Sequence, residues 1–330
     1  MPFQVLEEEF GRLQAEWEGL LSLCPRPSPF VHPAFQRAWA DAFLGGAEGP
    51  EPLLWSVREG ERLIGVASLL ARDGTLALAG DPSVCDYADL VCTPGYEEAF
   101  LAELLTRARA SFEGVDLWGL QEDSPTLSAL DGAARRAGFD VARELEAVAP
   151  AVRLPGSWEE YLAGLSKKDR HELRRKIRRF GALGGGVRVR AVTGGPELTE
   201  GARVLRELMA MSRQDKLEFL RRPQMETFFA RLVEEMGAAG LIRLYVVDLD
   251  GKPVAAVLCF LLANRLYMYN SGYDPALAQY SVGLVSKAAV IQDAIEQGYE
   301  CVDFLRGDES YKYDLGATDQ RIYRCVLTRR

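Results

Sequence analysis

Ionisable side chains crowd one short run, Asp303-Phe-Leu-Arg306-Gly-Asp308-Glu-Ser-Tyr311-Lys312-Tyr313. The run follows a strand-like stretch and contains a glycine, and the carboxyl end of a sheet strand is where α/β proteins usually build sites. Asp303 alternates with apolar neighbours and is expected to face a cleft. Arg306 and Lys312 have the charge to hold a phosphate or carboxylate, or to face negative charge developing on a carbonyl oxygen. Asp308 could take a proton from an amine, and Tyr311 could return one to a leaving thiolate. The competing reading is a solvated loop whose charges pair with one another.

A second segment, Gln279-Tyr280-Ser281-Val282-Gly283-Leu284, lies between a strand and a helix. A loop that turns its backbone N–H groups into a helix N-terminus makes an anion site. Gly283 would let a phosphate approach the backbone, and Ser281 is placed to cap the helix. An ordinary N-cap with one glycine is the alternative. Just upstream, Tyr269 and Asn270 in Tyr267-Met-Tyr269-Asn270 either pack across strands or line an acceptor pocket. A third segment is basic: Lys167, Lys168, Arg170, Arg174, Arg175, Lys176, Arg178 and Arg179 stand against Asp169 and Glu172. Either this is a solvated helix face, or Arg174, Arg175 and Arg178 meet an anionic ligand.

Other chemistries are excluded by what is scarce. The histidines are His32, before a proline, and His171, among lysines and arginines, so no His-rich metal site exists and none is expected. Neither context suits a catalytic base, which removes Ser-His and Cys-His mechanisms. Gly184-Gly185-Gly186 follows a helix and precedes a strand, the wrong order for a phosphate cradle and the right one for a C-cap and turn. The cysteines, at 24, 85, 92, 259, 301 and 325, form no C-x-x-C pair and read as reduced thiols of a cytoplasmic protein. No apolar run reaches the roughly 18 residues of a membrane span. A net charge of -9 argues against general nucleic-acid coating but leaves room for a local basic site.

The elements that must position these residues form a repeated pattern. Residues 53–70 read as a hairpin turning at Gly60, and residues 243–260 as a hairpin turning at Asp250-Gly251. Each is followed by a third strand (Thr75–Ala79, Arg265–Tyr269) and a helix (Tyr96–Ser111, Val282–Gln297). A short strand with an acid at the same place comes next, Asp116 in one and Asp303 in the other. The offset is roughly 190 residues, which reads as duplicated domains rather than a solenoid, with chance agreement of two α/β patterns as the alternative. The fold class is α/β (α+β mixed sheets), with domains at 1–150 and 151–330 joined near Pro150–Gly156. Beyond the joint, Ser157-Trp-Glu-Glu160 is a capping box, and Ser166 caps the basic helix from Lys167 to about Phe180. Helical patterns also cover Leu198–Ser212 and Pro223–Met236.

On these residues the second half resembles the GNAT acetyltransferase superfamily in its FemAB-like double-domain branch. The segments that carry the resemblance are Leu165–Arg179, Gly251-Lys-Pro-Val-Ala-Ala, Gln279–Leu284 and Asp303–Lys312. The first half, through Phe30–Trp39 and Asp86-Tyr-Ala-Asp89-Leu, resembles the degenerate N-terminal GNAT-like domain of such proteins. The resemblance implies two tandem GNAT-like domains with a short basic helical arm. It implies acyl transfer by direct attack of an amine, from acetyl-CoA or another acyl-CoA, or in the Fem branch from aminoacyl-tRNA. The acceptor would be a small-molecule or peptide amine. Gln279 to Leu284 would hold the donor's pyrophosphate, with Tyr269, Asn270 and Arg306 near the acceptor. A non-catalytic accessory protein of polysaccharide assembly is the alternative from another class.

Overall fold

The computed structural model describes residues 2–44, 50–183 and 186–330, so Gly184 and Gly185 lie outside the described residues. The first unit is Met1–Val148 with Gln320–Arg330, and the second is Ala149–Asp319.

In the first unit the order is β1 (Phe3–Glu7), α1 (Phe10–Leu21), α2 (Pro33–Phe43), β2 (Glu51–Glu59), β3 (Arg62–Arg72), β4 (Thr75–Leu78), β5 (Val91–Cys92), α3 (Glu97–Ser111), β6 (Gly114–Gln121), α4 (Pro125–Ala137) and β7 (Phe139–Val148). The second unit holds β8 (Ala151–Arg153), α5 (Trp158–Gly164), α6 (Lys167–Gly181), β9 (Arg188–Val192), α7 (Gly195–Ser212), α8 (Gln214–Leu220), α9 (Gln224–Ala238), β10 (Ile242–Leu249), β11 (Lys252–Leu262), β12 (Arg265–Tyr273), α10 (Val282–Glu296), β13 (Cys301–Asp303) and α11 (Ser310–Asp314). The last strand, β14 (Arg321–Arg329), returns to the first sheet.

The first sheet runs β1-β2-β3-β4-β6-β14-β7, with β5 on β3, and the second runs β8-β13-β12-β11-β10-β9. The repeated pattern is present in both. In each, a hairpin leads to a third strand, a helix crosses over, and the strand after the helix pairs in parallel with that third strand. The pairings are Thr75–Ala77 with Gly114–Asp116, and Arg265–Tyr267 with Cys301–Asp303. Asp116 and Asp303 thus take the same register position. The Asp250-Gly251 turn has positive φ at both residues, 52° and 75°, as a two-residue hairpin of twisted strands requires.

The sequence reading kept every residue from 151 to 330 together, whereas β14 lies between β6 and β7. Its alternating Ile322, Cys325 and Leu327 are buried there, and Arg324 makes a two-pronged pair with Asp116 at 2.9 and 2.6 Å.

The starts of α5 and α6 follow their sequence signals. Ser157 accepts from Glu160 N at 3.2 Å and Ser166 from Asp169 N at 3.1 Å. Among the described residues, no helix is long and apolar enough to cross a membrane.

Candidate functional site

β12 and β13 pair only over three residues each. β12 continues to Tyr273, but the chain leaves β13 after Asp303. The turn is fixed by Asp303, whose Oδ1 accepts from Leu305 N at 2.8 Å while Leu305 takes a φ of +60°. On its other side β12 pairs with β11 as Leu258 with Asn270 and then Cys259 with Met268, which leaves Tyr269 as an extra residue. Such a bulge bends its strand and re-aims side chains. Beyond Tyr267, therefore, the two parallel strands separate, and Tyr269 and Asn270 stand half-buried beside the gap. Tyr269 lies against Phe260 with ring centroids 4.6 Å apart. In the first unit, Trp118 Nε1 donates to Leu78 O at 2.9 Å and Ala88 N to Gly119 O at 3.1 Å, so that sheet's own chain fills the corresponding place.

The loop after β13 differs from expectation in two respects. Asp303 is fully buried, with Arg265 at 3.5 Å, and braces the turn instead of facing open space. Lys312 is 1% exposed. Its Nζ donates to the carbonyls of Leu305, Arg306 and Gly307 at 2.9, 3.0 and 2.9 Å and meets Glu309 at 2.9 Å. An ammonium has three protons to give, so Lys312 organises the loop and does not project from it. Arg306 is half-buried, and Asp308 is exposed. Burial would raise the Glu309 carboxyl, but the hydrogen bond and charge of Lys312 hold it below its ordinary value. Tyr311 packs edge-on against Phe304, and burial pushes its hydroxyl well up, so it stays protonated.

Across the gap, Pro275–Tyr280 forms a 3-10 turn that leads into α10. Ser281 has φ 57° and its side chain makes no cap hydrogen bond. An N-cap hydroxyl reaches the first turn from extended backbone, which left-handed Ser281 does not adopt. Leu284 N and Val285 N both donate to Ser281 O. Of the four N–H groups a helix start leaves open, those of Val282 and Gly283 are thus the ones directed out of α10. The space beside Gly283 is taken by Tyr273: a Cβ there would stand 2.9 Å from the ring. Gln279 is exposed, and Tyr280 carries the Arg179 guanidinium 5.4 Å over its ring.

Two lysines at this place escaped the sequence reading. Lys287 lies one turn into α10. Helical side chains lean toward the N-terminus, and its Nζ donates to Gly283 O at 3.1 Å and sits 4.9 Å over the Tyr311 ring. Lys216 of α8 donates to Ser271 O on β12. Burial lowers Lys287 to about 7, helped by the charge of Lys216. Burial also lowers Lys216 to about 8, helped by Arg213. A signal existed for Lys287, a lone cation in the apolar stretch Val282–Ile291. Lys216 gave none.

On α6, Leu173 and Phe180 are buried, and Phe180 joins Val282 in one apolar cluster, docking the helix beside the start of α10. Arg174 pairs with Glu159 at 3.0 Å and Arg175 with Glu172 at 2.6 Å, while Arg178 is exposed.

Residues 167–313 match the acetyltransferase (GNAT) domain family. The fold is similar to the crystal structure of FemX, with a TM-score of 0.66 and 13% identity over 97% of this chain and 96% of that one. It is also similar to the structure of L-PGS from Bacillus licheniformis, with a TM-score of 0.60 and 13% identity over 96% and 91%. A tandem GNAT protein from the clavulanic acid biosynthesis pathway gives a TM-score of 0.51 and 15% identity over 98% of both chains. At such identities the likeness is one of fold. No curated protein sequence matches this chain.

Proposed function

We propose that the chain is an N-acyltransferase of the GNAT superfamily in its FemAB-like double-domain form, a reading supported by the domain match over residues 167–313 and by the likeness of fold to FemX, L-PGS and the tandem GNAT protein. It moves an acyl group from acyl-CoA to an amine by direct attack, in the second unit, with the first as a non-catalytic companion domain. The observation that carries this reading is the gap between β12 and β13, bordered by the open N–H groups of Val282 and Gly283 and by Lys216 and Lys287. The donor's phosphates fit the start of α10, where two N–H groups and the helix dipole favour an anion. Its acyl end would reach the bulge at Tyr269 and Asn270.

Direct attack needs a neutral amine, a polarised carbonyl and a proton for the leaving group. The C–N bond forms as the carbonyl becomes tetrahedral. The amine's proton passes to Asp308 or to water beside it. The carbonyl then re-forms with loss of the thiolate, which Tyr311 protonates. Asp303 and Lys312 act one step back, by holding the loop that presents Arg306, Asp308 and Tyr311.

A second reading, with aminoacyl-tRNA as donor, is favoured by the cation density of α6 and by Arg179 lying over Tyr280. The chemistry is the same with an ester in place of the thioester. Either donor is a cytoplasmic molecule, which is the location we propose.

Thermal unfolding with CoA, acetyl-CoA and tRNA in turn separates these readings. A ligand at 100 times its dissociation constant adds about 2.7 kcal/mol. Stabilisation by CoA and acetyl-CoA but not tRNA is expected. Stabilisation by tRNA alone moves the donor assignment, and no response to any of them favours an accessory protein.

A further inference from the structure

Lys216 and Lys287 are half-buried ammonium groups that each spend one proton on a backbone carbonyl, Ser271 O and Gly283 O respectively. Among the described residues neither has a carboxylate at ion-pairing distance. They come from different helices that both meet the end of β12, Lys216 at Ser271 and Lys287 through Gly283, which lies against Tyr273, and the charge of Lys216 reaches Lys287. The carboxylate that faces both is Glu309, which is already held by Lys312 at 2.9 Å. Lys216 also has Arg213 and Asp215 near it, but these two are bound to each other at 2.9 and 2.8 Å. Around Lys287 stand Tyr311, the buried Cys259 thiol and the committed Lys312. Like charges withdrawn together from water are costly unless an anion joins them.

We propose that Lys216 and Lys287 together hold a carboxylate of the substrate at the β12–β13 gap. This deepens the acyltransfer reading and rests on it: the substrate class becomes one with a carboxylate close to the reacting amine or acyl carbon. A carboxylate offers one oxygen to each ammonium. The rings of Tyr311 and Phe304 limit water at one side of Lys287, which strengthens such a pair. The donor's phosphates have their own place at Val282 and Gly283, so the anion between the lysines is a second one. Two sources supply the same chemistry, an acceptor of amino-acid type or a dicarboxylic acyl group such as succinyl.

Binding an anion raises a lysine whose folded pKa is near 7 or 8, so at pH 7.5 a carboxylate arrives together with protons. Calorimetry of the full chain in two buffers of different ionisation enthalpy measures that uptake. The probes are free amino acids and their amides, with and without saturating CoA, and acetyl-CoA against succinyl-CoA. Expected is at least tenfold tighter binding of an acid than of its amide, with proton uptake. Both effects should be lost in Lys216→Met and Lys287→Met, with Lys216→Gln and Lys287→Gln as alternatives if the first pair folds poorly. Uptake with succinyl-CoA beyond that with acetyl-CoA, in place of the acid–amide difference, assigns the carboxylate to the acyl group and also supports the site. Equal binding of acids and amides together with equal uptake for the two thioesters overturns it. So does wild-type carboxylate binding in the lysine variants, or lysine-dependent uptake caused by CoA alone. Failure of CoA to bind at all counts against the CoA reading, while the acid–amide comparison without CoA still tests the lysine pair.

Discussion

Gly272 lies directly under the backbone of Met209, so close that an added methyl would overlap the Met209 nitrogen. This contact lays the end of α7 on β12 and brings α8, with Lys216, over the Ser271 carbonyl. Gly201 does the same at the other end of α7, where a Cβ would stand 2.5 Å from Leu244. Because the neighbour at Gly272 is backbone, it cannot rotate away. Gly272→Ala should cost about 3 kcal/mol, the upper end for overpacking, seen as a lower denaturant midpoint. It should also weaken binding of the substrate carboxylate by displacing Lys216. A variant with wild-type stability would mean that α7 does not rest on β12.

Gly283 has a similar steric reason, with a softer neighbour. A Cβ there meets the Tyr273 ring at 2.9 Å, so Gly283→Ala should cost about 1–2 kcal/mol and reduce CoA affinity. Adding Tyr273→Leu should restore part of both, because residues in contact couple. If the double variant is as impaired as the sum of the single ones, the glycine serves the donor and not the ring.

Lys312→Met leaves three carbonyls and Glu309 without their donor. Hydrogen bonds to charged groups contribute about 1.5–3 kcal/mol each when they are broken singly, so a loss of about 3 kcal/mol in urea unfolding is expected. Turnover should fall about a hundredfold, with Lys312→Arg recovering stability only in part because a guanidinium fork does not fit a ring of three carbonyls. Full stability in Lys312→Met would show that the loop is held by something else.

Much of this was legible. Hairpin turn residues, capping boxes and the shared position of Asp116 and Asp303 are local signals, and the structure follows them. The placement of β14 was hidden because an alternating strand pattern states which face is buried but not which sheet will take it. The roles of Asp303 and Lys312 were hidden for a related reason. A charged residue in a loop looks the same whether it faces a ligand or neighbouring carbonyls, and only the turn at Leu305 decides between them. Lys216 was illegible because its burial comes from the approach of Gly272 to α7, a contact between distant parts of the chain.

The two lysines give the stability of the protein a pH dependence of definite sign. Lys287 releases its proton near pH 7 when folded, against an ordinary value of 10.5. Between those limits the unfolded chain binds more protons, so stability rises with pH across that window. Lys216 acts in the same direction from about 8 upward. Below about 7 both states of Lys287 are protonated, and the full cost of the desolvated charge is present. Lys287→Met should therefore be more stable than the wild type at pH 6.5, with the difference narrowing at pH 8 and again at pH 9.5. Urea midpoints at the three pH values measure this. A difference that stays constant from pH 6.5 to 9.5 would mean that Lys287 keeps its proton in the folded chain and is solvated, and the electrostatic picture of the site would have to be abandoned.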